Sequence, residues 1–268
     1  MAWSCRHGGW RRRNPALLAR VLSNFAALLP SELKYKLVRL RPVYLGLLSR
    51  FQPISTVKTS AGAFSWKIDA LTSQQILRGC YEPYMQAAFT RYVRPGGAVY
   101  DVGAHAGFHS LFCALLAGPA GRVIAFEPNP GNFRSLTAQL ELNPSLQVTL
   151  LPYAILDRNG DVRFEAGGDS SQGHISEAGS FTVAGRCLDS LVEQGSVPPP
   201  SVIKIDVEGA EEQVIAGALQ VLKMHRPVVL CDRNDDTTET KVRRLLAPLD
   251  YNVVGDWPIV AVAPATRK

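Results

Sequence analysis

From about residue 95 onward, short apolar runs bounded by turn residues alternate with amphipathic segments of helical period. The pattern predicts strands over Val99–Val102, Arg122–Phe126, Gln147–Tyr153, Val202–Asp206 and Pro227–Cys231. Between and after them it predicts helices over Phe108–Leu116, Pro130–Leu142, Glu211–Leu222 and Thr237–Leu246. Asn129 is an N-cap and Pro130 occupies the first helical position, where a missing N–H costs nothing. Asp157–Gly160 reads as a turn between two β segments, Gly167–Gly179 as a Gly/Ser-rich loop, and Tyr251–Val254 with Ile259–Val262 as a closing hairpin. Upstream, Phe51–Asp69 alternates weakly around Gly62 as a short hairpin, and Glu82–Tyr92 reads as a helix stopped by Arg94-Pro95-Gly96-Gly97. Strands alternating with helices imply an α/β fold: a doubly wound, mostly parallel sheet covered on both faces. The domain is expected over residues 51–268, with its core over 95–235.

Charge separates a further segment. Residues 1–50 carry ten Lys/Arg against Glu32, a surplus of nine, whereas the whole 268-residue chain is only +6. The remaining residues are therefore net −3, and the pI near 9.2 belongs to the N-terminus. Residues 1–50 read as a basic helical extension, with Leu18, Val21, Leu22, Phe25 and Leu29 on one helical face. Such a start suits a peripheral membrane contact, a mitochondrial transit peptide or a helix packed on the domain, and the pattern leaves all three open. No stretch matches the roughly 20 uncharged apolar residues that a membrane span needs. Five cysteines are scattered without a C-x-x-C pair, which favours a reducing, cytoplasmic setting over a disulfide framework.

The first strand of the core runs into Asp101-Val102-Gly103-Ala104-His105-Ala106-Gly107. In an open parallel sheet, ligands bind beyond the carboxyl ends of the strands where strand order reverses. Gly103 lets the backbone turn and approach a ligand, and Gly107 opens the next helix. An acid at the strand end separates two cofactors. A dinucleotide site seats a pyrophosphate with G-x-G-x-x-G, and a carboxylate there repels it. That glycine spacing is absent, and Asp101 suits the cationic amino group of S-adenosylmethionine. Glu127 ends the second strand, placed to accept ribose hydroxyls, and Phe126 beside it is expected to pack on the adenine. The expected cofactor-binding residues are thus Asp101, Gly103, Ala104, Gly107, Phe126 and Glu127.

A second cluster, Ile203-Lys204-Ile205-Asp206-Val207-Glu208-Gly209-Ala210-Glu211, surrounds the end of the fourth strand. The strand period puts Lys204 and Asp206 on one face, with Asp206 at the strand end where an acceptor docks. Glu208 and Glu211 fall near a helix start, where acids also serve the dipole alone. Asp206, Asp232 and Asn234 offer oxygen ligands, but nothing else signals a metal, and no metal site is assigned.

The chain resembles the FkbM family of methyltransferases at Tyr81-Glu82-Pro83, Val99–Ser110, Ala125–Pro130, Ala154–Gly160 with Phe164, Leu188–Leu191, Ile203–Glu211 and Arg226-Pro227-Val228. The resemblance implies a Rossmann-like class I methyltransferase fold, S-adenosylmethionine as donor, and O-methylation of sugars or other hydroxylated small molecules. It also implies that Asp101, Gly103, Gly107 and Glu127 bind the cofactor. The chain departs from the family at His105, where Asn is usual, and at Asp232, where Glu is usual.

A hydroxyl acceptor benefits from a general base. Asp206, Lys204 and His109 are the expected catalytic residues, and His174 in the Gly/Ser-rich loop is a further candidate base. A nucleic-acid methyltransferase is the nearest rival, but Asp206-Val207-Glu208-Gly209 replaces the Asn/Asp-Pro-Pro-aromatic turn of amino-group methylation, and no nucleic-acid partner is expected. A non-catalytic cofactor-binding scaffold docked through the basic N-terminus is the second rival. A nicotinamide oxidoreductase is the third, disfavoured by the glycine spacing.

Overall fold

A computed structural model describes residues 54–69, 71–165, 173–233, 237–254 and 257–264. The chain divides into two compact units, residues 1–55 with 67–70 and residues 56–66 with 71–268. The expected basic helical extension over residues 1–50 lies outside the described residues, as does Asn234.

In chain order, β1 (Ile54–Thr59) and β2 (Gly62–Lys67) form a hairpin, followed by a short α1 (Gln74–Leu77) and α2 (Pro83–Tyr92). The core begins with β3 (Ala98–Val102), α3 (Phe108–Ala117), β4 (Arg122–Phe126), α4 (Pro130–Glu141) and β5 (Val148–Leu151). Then come β6 (Tyr153–Ile155), β7 (Gly160–Glu165), β8 (His174–Ile175), β9 (Phe181–Arg186) and α5 (Leu188–Glu193). The chain continues through β10 (Val202–Ile205), α6 (Glu211–Ala216), α7 (Leu219–His225), β11 (Val228–Cys231) and α8 (Thr238–Leu246) to β12 (Asn252–Val254) and β13 (Ile259–Val262).

The main sheet has seven strands in the order β12-β13-β11-β10-β3-β4-β5. Strands β11, β10, β3, β4 and β5 are parallel, while β13 and β12 close the edge as an antiparallel hairpin. Order reverses between β10 and β3, where successive crossovers lead to opposite sides, so the crevice for a ligand opens there. Both sheet faces are covered, which makes the central strands apolar on both sides. On one face Tyr100, Val102, Ile203 and Ile205 pack with Leu188, Val214, Leu222 and Val242. On the other, Val99, Val123, Val202 and Leu230 meet Phe89, Phe112 and Cys113 of α2 and α3. This is the doubly wound α/β fold predicted by the pattern.

Three expectations are corrected. The predicted strand Gln147–Tyr153 is broken at Pro152, which has no N–H for a ladder; β5 stays in the main sheet and β6 joins another. That other sheet, order β6-β9-β7-β8, includes β8 inside the segment read as a loop and β9, which was not predicted. Consequently the two β segments around Asp157–Gly160 do not pair with each other; each pairs with β9. The predicted helix Glu211–Leu222 is likewise two helices, because Gly217 turns its carbonyl to the Asp189 N–H (2.9 Å) rather than continuing the ladder. The Asp189 carboxylate in turn accepts from the Gln220 and Val221 N–H groups (3.0 and 2.8 Å) and fixes the start of α7.

Candidate active site

A cavity of about 300 Å³ lies beyond the carboxyl ends of β3, β4, β10 and β11, a volume typical of small-ligand sites. Its floor comes from the strand ends, with Gly103, Glu127, Asp206 and Asp232. The small sheet supplies a wall with Tyr153, Ile155, Phe164 and Ile175. Tyr81 and Glu82, ahead of α2, close another side.

Two loops build the floor and are braced on each other. The Gly103 and Ala104 N–H groups both donate to the Phe126 carbonyl at 3.0 Å, which pulls the end of β3 toward β4. Gly103 has φ +80°, and a Cβ there would lie 1.8 Å from the Asp206 carbonyl oxygen. Only glycine allows these two strand ends to meet. Gly107, φ +91°, is also left-handed, and a Cβ there would lie 2.0 Å from a terminal methyl of Leu136 in α4.

Glu127 is almost fully buried yet lines the cavity. Its Oε2 accepts from the His105 N–H (2.7 Å), and its Oε1 accepts from the Asn129 N–H (2.8 Å) and, at 3.4 Å, the Asn132 side-chain amide. These donors fix the carboxylate and leave acceptor capacity for a ligand hydroxyl. Burial raises its pKa to about 7, partly offset by the backbone N–H donors.

Below the floor, Lys204 lies beside Asp101 in the parallel register. Its ammonium sits 3.1 Å from Asp101 Oδ1 and 3.3 Å from Asp206 Oδ2, and donates to the Gly103 carbonyl at 2.7 Å. Burial alone would lower the Lys204 pKa, but Asp101, Asp206 and Glu82 override it and hold the ammonium above its ordinary value. Asp101 is fully buried, and its Oδ2 accepts from the Ser110 hydroxyl at 2.6 Å. Burial opposes its ionisation, yet Lys204 keeps its pKa below the ordinary carboxyl range.

Of the nine residues expected at the site, Gly103, Glu127 and Asp206 line the cavity. Asp101, expected to bind the cofactor, does not line the cavity: it is fully buried beside Lys204 and Ser110. Phe126 is fully buried edge-on to Tyr100, 5.6 Å between centroids, since strand alternation turns it away from the cavity. Ala104 is buried with Leu136, and Gly107 packs on the same residue, so both shape the loop from beneath. Lys204, expected to be catalytic, is buried beneath the cavity and paired with Asp206. His109 is buried among Tyr81, Phe89 and Phe108, and burial lowers its pKa to about 4, so its ring is neutral. His174 is exposed and outside the lining, although its neighbours Gly173 and Ile175 belong to it. Glu208 lines the cavity, whereas Glu211 is buried and accepts from the Gly209 N–H at 3.0 Å.

Glu82 was not anticipated as a site residue. It is the N-cap of α2 in the left-handed region (φ 45°), and its side chain makes no cap hydrogen bond. The carboxyl serves the cavity instead, with Oε2 3.6 Å from His109 Nε2, too far for a hydrogen bond. That buried Nε2 has no hydrogen-bond partner. Burial raises the Glu82 pKa from 4.5 to about 7; Lys204 opposes the rise, and Asp206 adds to it. Burial and Glu82 together raise the Tyr81 phenol. The signal in the sequence was an acid immediately before a proline that starts a helix.

A doubly wound sheet with a carboxylate-lined cavity at its switch point defines an α/β protein built to hold a nucleoside-sized ligand. Residues 101–253 match the model of the methyltransferase FkbM domain, more than half the chain, and the chain belongs to that family. It is 37% identical over 127 residues to the hexuronic acid methyltransferase AglP of Haloferax volcanii, covering 47% of this chain and 51% of that one. It is 27% identical over 153 residues to the 2-O-methyltransferase NoeI of Sinorhizobium fredii, covering 50% and 62%. The chain thus spans about half the length of the first of these relatives. A solved structure, methyltransferase FkbM from Methylobacillus flagellatus, is similar with a TM-score of 0.47 and 18% identity, covering 66% of this chain and 49% of that one.

Proposed function

We propose that the chain methylates a hydroxyl of a sugar or related polyhydroxylated small molecule, with S-adenosylmethionine as donor. The observation that carries the reading is Glu127, a buried carboxylate fixed by the His105 and Asn129 N–H groups at the rim of the switch-point cavity. Its remaining acceptor capacity fits ribose hydroxyls. Asp206 and Glu208 fit the cationic part of the same ligand, and no phosphate cradle competes. When bound, the cofactor supplies an electrophilic methyl group on a sulfonium.

The protein's own work is alignment, exclusion of water and removal of a proton. Glu82 is the group placed to take that proton. It lines the cavity, its histidine neighbour is neutral, and a pKa near 7 matches a base to neutral pH. The proton returns to solvent after turnover. Asp206 instead has one oxygen engaged by Lys204, which makes it an oriented charge at the strand end. Lys204 and Asp101 position Asp206 and the Gly103 carbonyl from below.

The names of the two sugar-related relatives support a hydroxylated acceptor. Glu82, Asp206, Glu208 and Asp232 around one cavity would repel a nucleic-acid backbone, so no nucleic-acid partner is proposed. Cys80, Cys113, Cys187 and Cys231 are free, in keeping with a cytoplasmic site of action, and the charge of residues 1–50 supports a peripheral membrane contact. Calorimetry tests the cofactor: S-adenosylhomocysteine should bind at micromolar concentration, NAD should not, and Glu127→Ala should abolish binding. Failure of folded wild-type protein to bind S-adenosylhomocysteine would overturn the proposal.

A further inference from the structure

Among the described residues, five large apolar side chains are exposed, and two of them, Tyr84 (64%) and Trp257 (55%), lie against each other. Their ring centroids are 5.9 Å apart and their planes are inclined by 40°. Tyr84 comes from the first turn of α2, and Trp257 from the turn between β12 and β13, so the chain brings them together from distant positions. Neither ring lines the cavity itself, but Trp257 is tied to its lining. The Trp257 indole N–H donates to Asp232 Oδ1 at 2.5 Å, and Asp232 lines the cavity. Tyr84 follows Glu82, which also lines it, by two residues.

Large aromatic rings left in water forgo the burial that stabilises a core, so a clustered pair beside a cavity asks for an occupant. The occupant must have an apolar face to meet the rings and a polar edge to meet Asp232 and Glu82. A pyranose ring has both: one face of C–H bonds, attracted to the electron-rich faces of aromatics, and a rim of hydroxyls that donate to carboxylates. Two tied aromatic side chains also give up little conformational freedom on binding.

We infer that Tyr84 and Trp257 form a stacking platform for a pyranose ring of the acceptor, at the mouth of the cavity. The inference rests on the proposal that the cavity methylates a sugar hydroxyl. The platform holds the ring, and the hydroxyl to be methylated reaches in past Glu82.

The test is saturation-transfer NMR of the whole chain, saturated with S-adenosylhomocysteine, against a panel of methyl pyranosides that includes a hexuronate. At least one pyranoside should show saturation of its C–H protons. Tyr84→Ala should weaken that binding about tenfold, while S-adenosylhomocysteine binding stays unchanged. Trp257→Phe, which keeps a ring but loses the bond to Asp232, should weaken it less. Binding of S-adenosylhomocysteine with no pyranoside binding, or pyranoside binding indifferent to Tyr84→Ala, would overturn the platform and leave the cofactor reading intact. Pyranoside binding without S-adenosylhomocysteine binding would support the platform and overturn methyl transfer. If Tyr84→Ala instead changes the oligomeric state in sedimentation, a second copy covers the rings and the inference fails.

Discussion

Replacing Glu82 with Gln removes a carboxyl that the fold holds at its own expense. Its pKa in the folded chain is about 7, against 4.5 when unperturbed, and burial is the main cause. That difference corresponds to about 3 kcal/mol. Because the folded pKa is the higher one, the folded state binds more protons than the unfolded state across this interval. Stability from this group is therefore complete below pH 4.5 and lost as pH rises through about 7. Glu82→Gln abolishes the titration with little change of shape. Thermal unfolding from pH 5 to 8.5 should show the variant gaining on the wild type as pH rises, by up to about 3 kcal/mol above pH 7. Activity should move the other way. Methyl transfer from labelled S-adenosylmethionine to a pyranoside acceptor should fall by about 10²–10⁴-fold, and the wild-type rise of kcat through pH 7 should flatten. A variant that is less active but no more stable at pH 8 would refute the burial argument. One that is more stable with unchanged kcat would refute Glu82 as the base.

Gly103→Ala should destabilise by about 2–4 kcal/mol, because it combines a left-handed backbone with a contact against the Asp206 carbonyl; denaturant unfolding checks this, and a loss below about 0.5 kcal/mol would refute it. Lys204→Met leaves Asp101 buried without its cation, and should cost about 3–5 kcal/mol at neutral pH. Adding Asp101→Asn should restore part of that loss, and strictly additive effects in the double-mutant cycle would show the pair to be uncoupled.

The alternation of short apolar runs with amphipathic helices was enough to read the main sheet, because strands covered on both faces must be apolar throughout. Val99–Val102 and Ile203–Ile205 are such strands, interrupted only by the mutually paired Asp101 and Lys204, and their ends locate the cavity. The small sheet was harder to read. β8 has two residues inside a Gly/Ser-rich stretch, and β6 is separated from β5 only by Pro152, so neither carries a period of its own. Among the expected site residues, Gly103, Glu127 and Asp206 line the cavity because strand ends open onto it. Asp101 and Phe126 are buried away from the cavity for one shared reason. Nearness to a strand end says nothing of which side chains neighbouring strands have already engaged, and Lys204 claims Asp101 only through the β3–β10 register. Glu82 was hidden by its place outside the sheet, as an acid that ordinary helix capping would explain.

The small sheet has a core of its own, built from Ala154, Leu156, Val162, Phe164 and Val183 and joined to the rest through Val207 and Ala210. The cavity therefore has two differently packed sides: a floor braced by Gly103 against Asp206, and a wall whose Phe164 and Ile175 rest on the small sheet's core. Such a division lets one side of the cavity change its lining while the other keeps its geometry, each sheet answering to its own core.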